Sequence, residues 1–214
     1  MKKRILCFGD SNTWGYMPGT GDRYPEDVRW TGVVKKLLGE DFEIIEDGIP
    51  GRCTCDGKPW SVATDGLQGI DHALKAHYPL DCVVVMLGTN DLFDHNAAYA
   101  KNGVDEIVRR IINSNTYYAT ATPMFKDKAK VLLVSPILIA EDIDSKGVLS
   151  YIGTHNESTK FKDYYYEIVK ARNIDFIDAS QYAYPSEIDG LHLTADGHAS
   201  LGKAIAEKLK DMYK

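Results

Sequence analysis

Short apolar runs alternate along the chain with longer stretches in which apolar residues recur at helical spacing. Five of these runs predict strands, at residues 4–8, 42–46, 82–87, 131–134 and 176–177. The run at 82–87 is apolar throughout, as in strands that are buried on both faces of a parallel sheet. The pattern therefore favours a mostly parallel sheet covered by helices.

The intervening stretches predict helices at residues 30–38, 65–77, 104–113, 157–172 and 194–212. Five strand–helix units predict an α/β fold, a three-layer α/β/α sandwich whose five-stranded parallel sheet has the flavodoxin-like order 2-1-3-4-5. In that order the first strand lies between the second and the third, about 4.8 Å from each. No repeat or linker interrupts the pattern, so we expect one domain over residues 1–214.

Composition limits the expected partners and compartment. Of the 214 residues, 44% are hydrophobic and 26% are charged, and the net charge is −6, so a nucleic acid is not an expected partner. The apolar run after the basic start covers only residues 5–8, against about 7–15 in a secretory signal. No window reaches the roughly 18 apolar residues of a membrane span. We therefore expect a cytoplasmic protein that does not associate with membranes.

The cysteines do not predict a metal site. Cys7 and Cys82 lie within predicted strands, and Cys53 and Cys55 flank Thr54 in a loop without the Cys-x-x-Cys spacing that zinc sites favour. A redox role for the second pair is an alternative, but reduced thiols are favoured. We expect neither a metal nor a cofactor.

A serine follows the first predicted strand directly, in the sequence Gly9-Asp10-Ser11-Asn12. Ligands of open α/β sheets bind outside the carboxyl ends of the strands, so Ser11 lies where chemistry would be done. Most serines in such positions form turns or cap helices instead. The remainder of the chain must therefore supply the groups that would activate this hydroxyl.

The loops after the second and third strands carry hydrogen-bond donors that would flank Ser11. Gly51, with Gly48 as a neighbouring candidate, lies where backbone can approach a ligand and point an N–H at it. Asn90 follows the third strand and offers a side-chain amide. With the Ser11 N–H these groups make the kind of donor set that an oxyanion hole requires. Taken singly, Gly51 is equally consistent with a turn, and Asn90 with a helix cap or Asx-turn.

A candidate base precedes the last predicted helix. Asp189 and His192 are three residues apart on a turn, so the carboxylate can reach Nδ1 of the imidazole while Nε2 points elsewhere. That arrangement fixes the tautomer and stabilises the imidazolium that forms when His192 takes the Ser11 proton. The alternative is a helix cap beside a surface histidine.

The chain resembles the SGNH (GDSL-type) hydrolases in four sequence blocks, which here are Gly9-Asp10-Ser11-Asn12, Gly51, Gly88-Thr89-Asn90-Asp91 and Asp189-Gly190-Leu191-His192. The resemblance implies Ser11 as the nucleophile, Gly51 and Asn90 as oxyanion donors, and Asp189 and His192 as the other triad members. The longer stretch over residues 9–16 most resembles the arylesterase and acyltransferase branch. Asn12 stands where leucine is commoner, and we expect its side chain to face away from the chemistry.

These residues predict a serine esterase that hydrolyses short acyl esters of small molecules, with transfer to another acceptor also open. Trp14 and Tyr16 follow the nucleophile, and Trp60 lies in the loop after the second strand. They predict a small hydrophobic cleft that favours acetyl groups, although such aromatic residues are as often packing residues. The long loops at 16–29 and 137–154 predict surfaces for a homo-oligomer, as in the resembling branch.

A metal-dependent hydrolase is the first alternative, because aspartates beside strand ends bind Mg²⁺. Its candidate ligands are Asp10, Asp91, Asp94, His95 and His192, which lack a tight ligand spacing. A non-catalytic nucleotide-binding module is the second alternative, since fold does not fix function. The sequence lacks both Gly-x-Gly-x-x-Gly and the Gly-x-x-x-x-Gly-Lys-Ser/Thr loop. An ordinary α/β-hydrolase is disfavoured, because Thr13 occupies the last glycine position of Gly-x-Ser-x-Gly.

Overall fold

The computed structural model of the chain describes residues 2–118, 120–147 and 153–214. Its strands are β1 (Lys3–Gly9), β2 (Phe42–Gly48), β3 (Leu80–Met86), β4 (Phe125–Ser135) and β5 (Asp175–Asp178). They form one parallel sheet in the order β2-β1-β3-β4-β5. The predicted fold class and strand order are both confirmed.

Helices connect the strands and cover the sheet. They are α1 (Ser11–Trp14), α2 (Trp30–Leu38), α3 (Gly66–His77), α4 (Ala97–Ile112), α5 (Ser114–Tyr117), α6 (His155–Ser158), α7 (Phe161–Arg172) and α8 (Ala195–Met212). Short 3-10 turns lie at Gly39–Asp41, Val62–Thr64, Thr89–Phe93, Ile143–Lys146 and Ala179–Gln181. Among the described residues, no helix combines the length and the hydropathy needed to cross a bilayer.

The alternating side chains of the central strands build a hydrophobic core on each face of the sheet. Leu6 and Phe8 of β1 point to the face that is covered by α3, α4 and α7. Ile5 and Cys7 point to the opposite face, which is covered by α2 and α8. Side chains on consecutive strand positions point to opposite faces, so a strand covered on both faces is apolar at every position. This is why the apolar runs marked the strands so clearly in the sequence.

Two elements begin more than five residues before their predicted starts. The helix predicted at 104–113 begins at Ala97. The buried positions of its first turns carry small residues rather than large apolar ones, so the sequence pattern does not predict these turns. Ala97, Ala100 and Gly103 are nevertheless buried, and a Cβ at Gly103 would lie 2.0 Å from the Thr54 Oγ1 atom. The strand predicted at 131–134 begins at Phe125. The charged residues of its first half interrupt the apolar pattern, so the sequence predicts only the second half.

The predicted helices at 65–77 and 194–212 begin one residue later than expected, since Asp65 and Thr194 are their N-caps. The predicted helix at 157–172 is divided into α6 and α7. The long loop predicted at 137–154 includes residues 148–152, which lie outside the described residues. Its described part contains the 3-10 turn at Ile143–Lys146.

The strand order places the end of β1 between the ends of β2 and β3. Gly9 is paired with Gly48 on one side and with Met86 on the other. The segments that leave these three strands therefore converge at one edge of the sheet, next to Ser11. This is the switch point at which ligands bind in open α/β folds.

Candidate active site

Ser11 is the first residue of the short helix α1, immediately after β1. Asp10 caps the helix by accepting a hydrogen bond from Asn12 N–H, and Gly15 ends it in the left-handed conformation, with φ 92°. The change from strand to helix within two residues needs Gly9, because a Cβ there would lie 2.0 Å from Thr13 Oγ1 and 2.8 Å from the Met86 carbonyl. The turn places the Ser11 hydroxyl beyond the sheet edge.

His192 reaches this hydroxyl from the opposite end of the sequence. Its Nε2 atom lies 3.0 Å from Ser11 Oγ, and its Nδ1 atom lies 2.8 Å from Asp189 Oδ2. A ring with its proton on Nδ1 donates to Asp189 and leaves Nε2 to accept the Ser11 proton. The three predicted residues are therefore brought together in one hydrogen-bonded series.

The Asp189 carboxylate is held by its own turn as well as by the imidazole. Its Oδ1 atom accepts the backbone N–H groups of Leu191 and His192, each at 3.0 Å. Burial raises the pKa of Asp189, but the hydrogen bonds from His192 and Leu191 outweigh it and leave that pKa below its ordinary value. Asp189 is therefore ionised at neutral pH and can stabilise a protonated imidazole.

The turn after β2 is stapled to the end of β1 by a buried arginine. Arg52 Nη1 donates to the carbonyls of Gly9 (3.0 Å) and Asp47 (2.7 Å), and Nη2 donates to the Asp47 carboxylate at 2.7 Å. The guanidinium also lies over the Phe8 ring, 4.1 Å from its centroid. No sequence pattern predicts a role for Arg52. These contacts hold the adjacent Gly51 close to the β1 edge.

Gly51 and Gly48 have different structural reasons to be glycine. Gly48 is the last residue of β2, where a Cβ would lie 2.2 Å from Trp14 N. Gly51 has φ 80° in a turn whose own hydrogen bond runs from Arg52 N–H to the Ile49 carbonyl at 3.1 Å. Positive φ at that position after Pro50 is the signature of a type II turn, and its hydrogen bond does not use Gly51 N–H.

Asn90 lies in the 3-10 turn after β3, beside the Gly51 turn. Its Nδ2 donates to the Arg52 carbonyl at 3.2 Å. The next residue, Asp91, is buried and accepts both the backbone N–H and the hydroxyl of Thr54, at 3.0 Å and 2.6 Å. Burial raises the pKa of Asp91 to about 7, although the bonds from Thr54 oppose the shift. The pair ties the loop after β2 to the turn that carries Asn90.

The three predicted pocket aromatics have different surroundings. Tyr16 stacks on the His192 ring, with the centroids 4.2 Å apart and the planes at 27°. Trp14 lies beneath the Arg23 guanidinium, whose carbon is 5.3 Å from the indole centroid. Trp60 is 68% exposed and meets Phe93 edge-on at 6.1 Å. Of the three, Tyr16 is the residue in contact with the Ser11–His192–Asp189 series.

Two candidate ligands of the metal-dependent alternative, Asp94 and His95, interact with side chains that are not candidate ligands. Asp94 pairs with Lys58 at 3.0 Å, and the His95 ring stacks on Tyr99. Burial raises the pKa of Asp10 to about 6, against the opposing effects of the Asn12 N–H and the His192 charge. Within the described part of the chain, no three His, Cys, Asp or Glu side chains form a group that could hold a metal ion.

Asn12, whose side chain was expected to face away from the chemistry, makes its side-chain hydrogen bonds to backbone groups beside His192. Its side chain spans the gap to the loop that carries His192. The Oδ1 atom accepts from Leu193 N–H at 2.9 Å, and Nδ2 donates to the Leu191 carbonyl at 3.2 Å. No local pattern could have found these contacts, because they join residues about 180 positions apart in the sequence.

A serine hydroxyl that donates to an imidazole, itself oriented by a carboxylate, can carry out nucleophilic acyl transfer. At the carboxyl edge of a parallel sheet, this series has the geometry of a serine hydrolase site. The family model described as GDSL-like lipase/acylhydrolase matches residues 7–200 of the chain. The chain belongs to this family.

Solved structures of similar sequence agree with the family. A native aryl esterase from M. smegmatis is 34% identical, with a TM-score of 0.88 over 98% of this chain and 99% of that one. A carbohydrate acetylesterase from Sinorhizobium meliloti is 33% identical, with a TM-score of 0.89 over 99% and 100% of the two chains. No curated protein sequence matches significantly. Together these findings confirm the predicted enzyme class, a carboxylic ester hydrolase.

Proposed function

We propose that this enzyme hydrolyses short acyl esters of small molecules through a covalent acyl-enzyme on Ser11. The observation that carries the proposal is the hydrogen-bonded series from the Asp189 carboxylate through the His192 ring to the Ser11 hydroxyl. A bound ester would present its carbonyl carbon to Ser11 Oγ while His192 Nε2 takes the hydroxyl proton.

The first half-reaction forms one C–O bond and breaks another. Ser11 Oγ adds to the ester carbonyl, and the proton passes to His192 to give an imidazolium that is paired with the Asp189 carboxylate. The tetrahedral intermediate then collapses, the ester C–O bond breaks, and His192 returns the proton to the departing alcohol. The acyl group remains on Ser11.

The second half-reaction repeats these steps with water as the nucleophile. His192 takes a proton from water, the oxygen attacks the acyl-enzyme, and Ser11 leaves with the proton that His192 returns. An alcohol in place of water would give acyl transfer by the same steps.

Three hydrogen-bond donors are proposed to form an oxyanion hole, which stabilises the negative charge that develops on the carbonyl oxygen. We assign the N–H of Ser11, the N–H of Gly51 and the side-chain amide of Asn90 to this site. The assignment of Gly51 rather than Gly48 rests on the turn at Ile49–Arg52, whose internal hydrogen bond leaves Gly51 N–H unused. Arg52 and Asp91 would keep the two turns in place by the contacts described above.

Removing the Asn90 amide tests the assignment of the oxyanion site. We expect Asn90→Ala to lower kcat by about 10²- to 10³-fold, because one such donor contributes roughly 3–4 kcal/mol in the transition state. Steady-state hydrolysis of an aryl acetate measures it. The matched control is Asn96→Ala, which removes the N-cap side chain of α4 and should leave kcat within about twofold. If both variants retain full activity, Asn90 is not an oxyanion donor.

The acyl group is proposed to be short. Ser11 is only 8% exposed, and the ring of Tyr16 lies against the His192 ring, so the attacking oxygen is recessed. The aryl esterase and the carbohydrate acetylesterase are named for ester substrates, and the second name specifies acetyl groups. We propose acetyl and similarly small acyl groups on aryl or sugar alcohols as the substrate class.

Chain length is the test of this substrate class. With one aryl leaving group, we expect kcat/KM for the acetate to exceed that for the octanoate by at least about tenfold, because a short acyl group fits beside the recessed Ser11 more easily than one with six added methylenes. Alkaline hydrolysis of the same esters corrects for intrinsic reactivity. Equal corrected rates would contradict the small pocket while leaving the nucleophile assignment unaffected.

Three predictions from the sequence remain predictions. They are self-association through the loops at 16–29 and 137–154, a cytoplasmic location, and a single domain over residues 1–214. None of these enters the chemistry assigned to Ser11, His192 and Asp189.

A further inference from the structure

The side chain of Asn12 links the nucleophile turn to the His192 loop at two points. Its Oδ1 accepts from Leu193 N–H at 2.9 Å, and its Nδ2 donates to the Leu191 carbonyl at 3.2 Å. Leu191 and Leu193 are the immediate neighbours of His192. The amide of one residue therefore grips the peptide groups on both sides of the imidazole.

Asn12 is also held in place within the turn that carries Ser11. It is 4% exposed, and its backbone N–H donates to Asp10 Oδ1 at 3.0 Å. A buried amide with both polar ends engaged has one favourable orientation, because any rotation leaves a donor or an acceptor unpaired. The position of Ser11, the residue before Asn12, is therefore coupled to the position of the His192 backbone.

The His192 loop has other contacts that keep it folded. Ser186 N–H donates to the His192 carbonyl at 2.7 Å, and Ala140 N–H donates to the Gly190 carbonyl at 2.9 Å. Those contacts hold the loop to itself and to the segment after β4. The Asn12 bonds differ, because they hold the loop to the turn that carries the nucleophile.

We propose that Asn12 is a positioning residue that sets the distance between Ser11 and His192. The inference rests on the proposed roles of those two residues. Proton transfer from Ser11 Oγ to His192 Nε2 requires the two atoms to stay within hydrogen-bond reach, here 3.0 Å. The two side-chain bonds of Asn12 act as a clamp that keeps Ser11 Oγ and His192 Nε2 at this distance before the ester binds. A displacement of about 1 Å can cost roughly 10²-fold in rate.

Asn12→Leu removes both bonds at nearly constant volume. We expect kcat to fall by about 10- to 100-fold while KM stays within about twofold, because the clamp contacts the loop rather than the ester. Rates are expressed per active site, with sites counted by stoichiometric reaction with an aryl phosphonate. This normalisation separates slower catalysis from a smaller folded fraction.

The matched control is Asn115→Leu. Asn115 also makes two amide bonds to backbone, donating to the Phe125 carbonyl at 2.9 Å and accepting from Phe125 N–H at 3.0 Å. Its partner, Phe125, is the first residue of β4, whereas Ala140, which contacts Gly190, follows the last. Loss of the same two bonds there should leave kcat per active site unchanged.

A double-mutant cycle with His192→Ala gives the decisive result. If Asn12 acts through His192, Asn12→Leu should lower kcat in the wild-type background and have no further effect in the His192→Ala background. Equal fold losses in both backgrounds would overturn the proposal, as would an unchanged kcat in Asn12→Leu itself. If Asn12→Leu does not fold, Asn12→Asp, which keeps the acceptor and loses the donor, is measured in the same cycle.

The same experiment separates this proposal from the proposed function. If the wild-type protein hydrolyses the ester without being phosphonylated at Ser11, the proposed function fails. If Ser11 is phosphonylated in the wild type and in Asn12→Leu at equal rates, the proposed function stands and the positioning role fails.

Discussion

Replacing Ser11 with alanine should lower kcat for an aryl acetate by at least about 10⁴-fold, because it removes the hydroxyl that is proposed to carry the acyl group. His192→Ala should cost a similar factor, since an unactivated hydroxyl attacks esters poorly at neutral pH. The double variant should be no worse than either single one, because the two residues act as one unit. Steady-state kinetics of the three variants measures this.

Folding is the property to hold constant in that comparison. Ser135→Ala is the matched control, because Ser135 is also buried at the end of a strand, and its hydroxyl donates to the Asp178 carboxylate at 3.0 Å. It should keep wild-type kcat, and the circular dichroism of all variants should agree. An undiminished rate in Ser11→Ala would exclude the acyl-enzyme mechanism.

The second large effect is expected for Asp189→Asn, at about 10⁴-fold in kcat. An asparagine keeps an acceptor for the backbone N–H groups of Leu191 and His192. Its amide, however, would donate to Nδ1 and move the ring proton to Nε2, which could then no longer accept from Ser11. KM should change little, because the carboxylate lies behind the imidazole.

Asp65→Asn is the control for this substitution. Asp65 also accepts the N–H of the residue three positions ahead, Gln68, at 3.0 Å, but it caps α3 and has no imidazole partner. Its variant should retain full activity. A loss of less than about tenfold in Asp189→Asn would show that the carboxylate does not control the tautomer.

The sequence was sufficient to predict the sheet and its consequences for the site. Strands that are buried on both faces are apolar throughout, so their positions can be predicted from the sequence. The alternation of strands and helices then favours the flavodoxin-like strand order 2-1-3-4-5. The order brought the ends of β1, β2 and β3 together. The predicted strand order therefore places Ser11, Gly51 and Asn90 near one another.

The predictions failed where packing does not involve large apolar residues. The buried positions in the first turns of α4 are Ala97, Ala100 and Gly103, and the Thr54 side chain approaches Gly103 closely, so no stripe of large apolar residues marks these turns. The first half of β4 is charged on its exposed side chains, so it did not resemble a strand. Sequence periodicity is recognised from large apolar side chains. The buried residues at the start of α4 are small, and Phe125 is the one large apolar residue among residues 125–130 of β4.

Long-range polar contacts were also beyond the sequence. Nothing in the local sequence around Arg52 predicts that its guanidinium joins the ends of β1 and β2. The sequence around Asn12 likewise does not predict that its side chain reaches the residues on both sides of His192. Each contact depends on the relative placement of loops, and a single sequence carries no local signal for it.

The most direct test of the mechanism is to identify the atom that an aryl phosphonate modifies. The protein is treated with the phosphonate in the presence of EDTA, digested, and its peptides are analysed by mass spectrometry while ester hydrolysis is followed in parallel. The account predicts one phosphonyl group per chain, on Ser11, with hydrolysis lost in proportion to labelling and unaffected by EDTA alone. Hydrolysis that persists after Ser11 is fully labelled, or that EDTA abolishes, would contradict it.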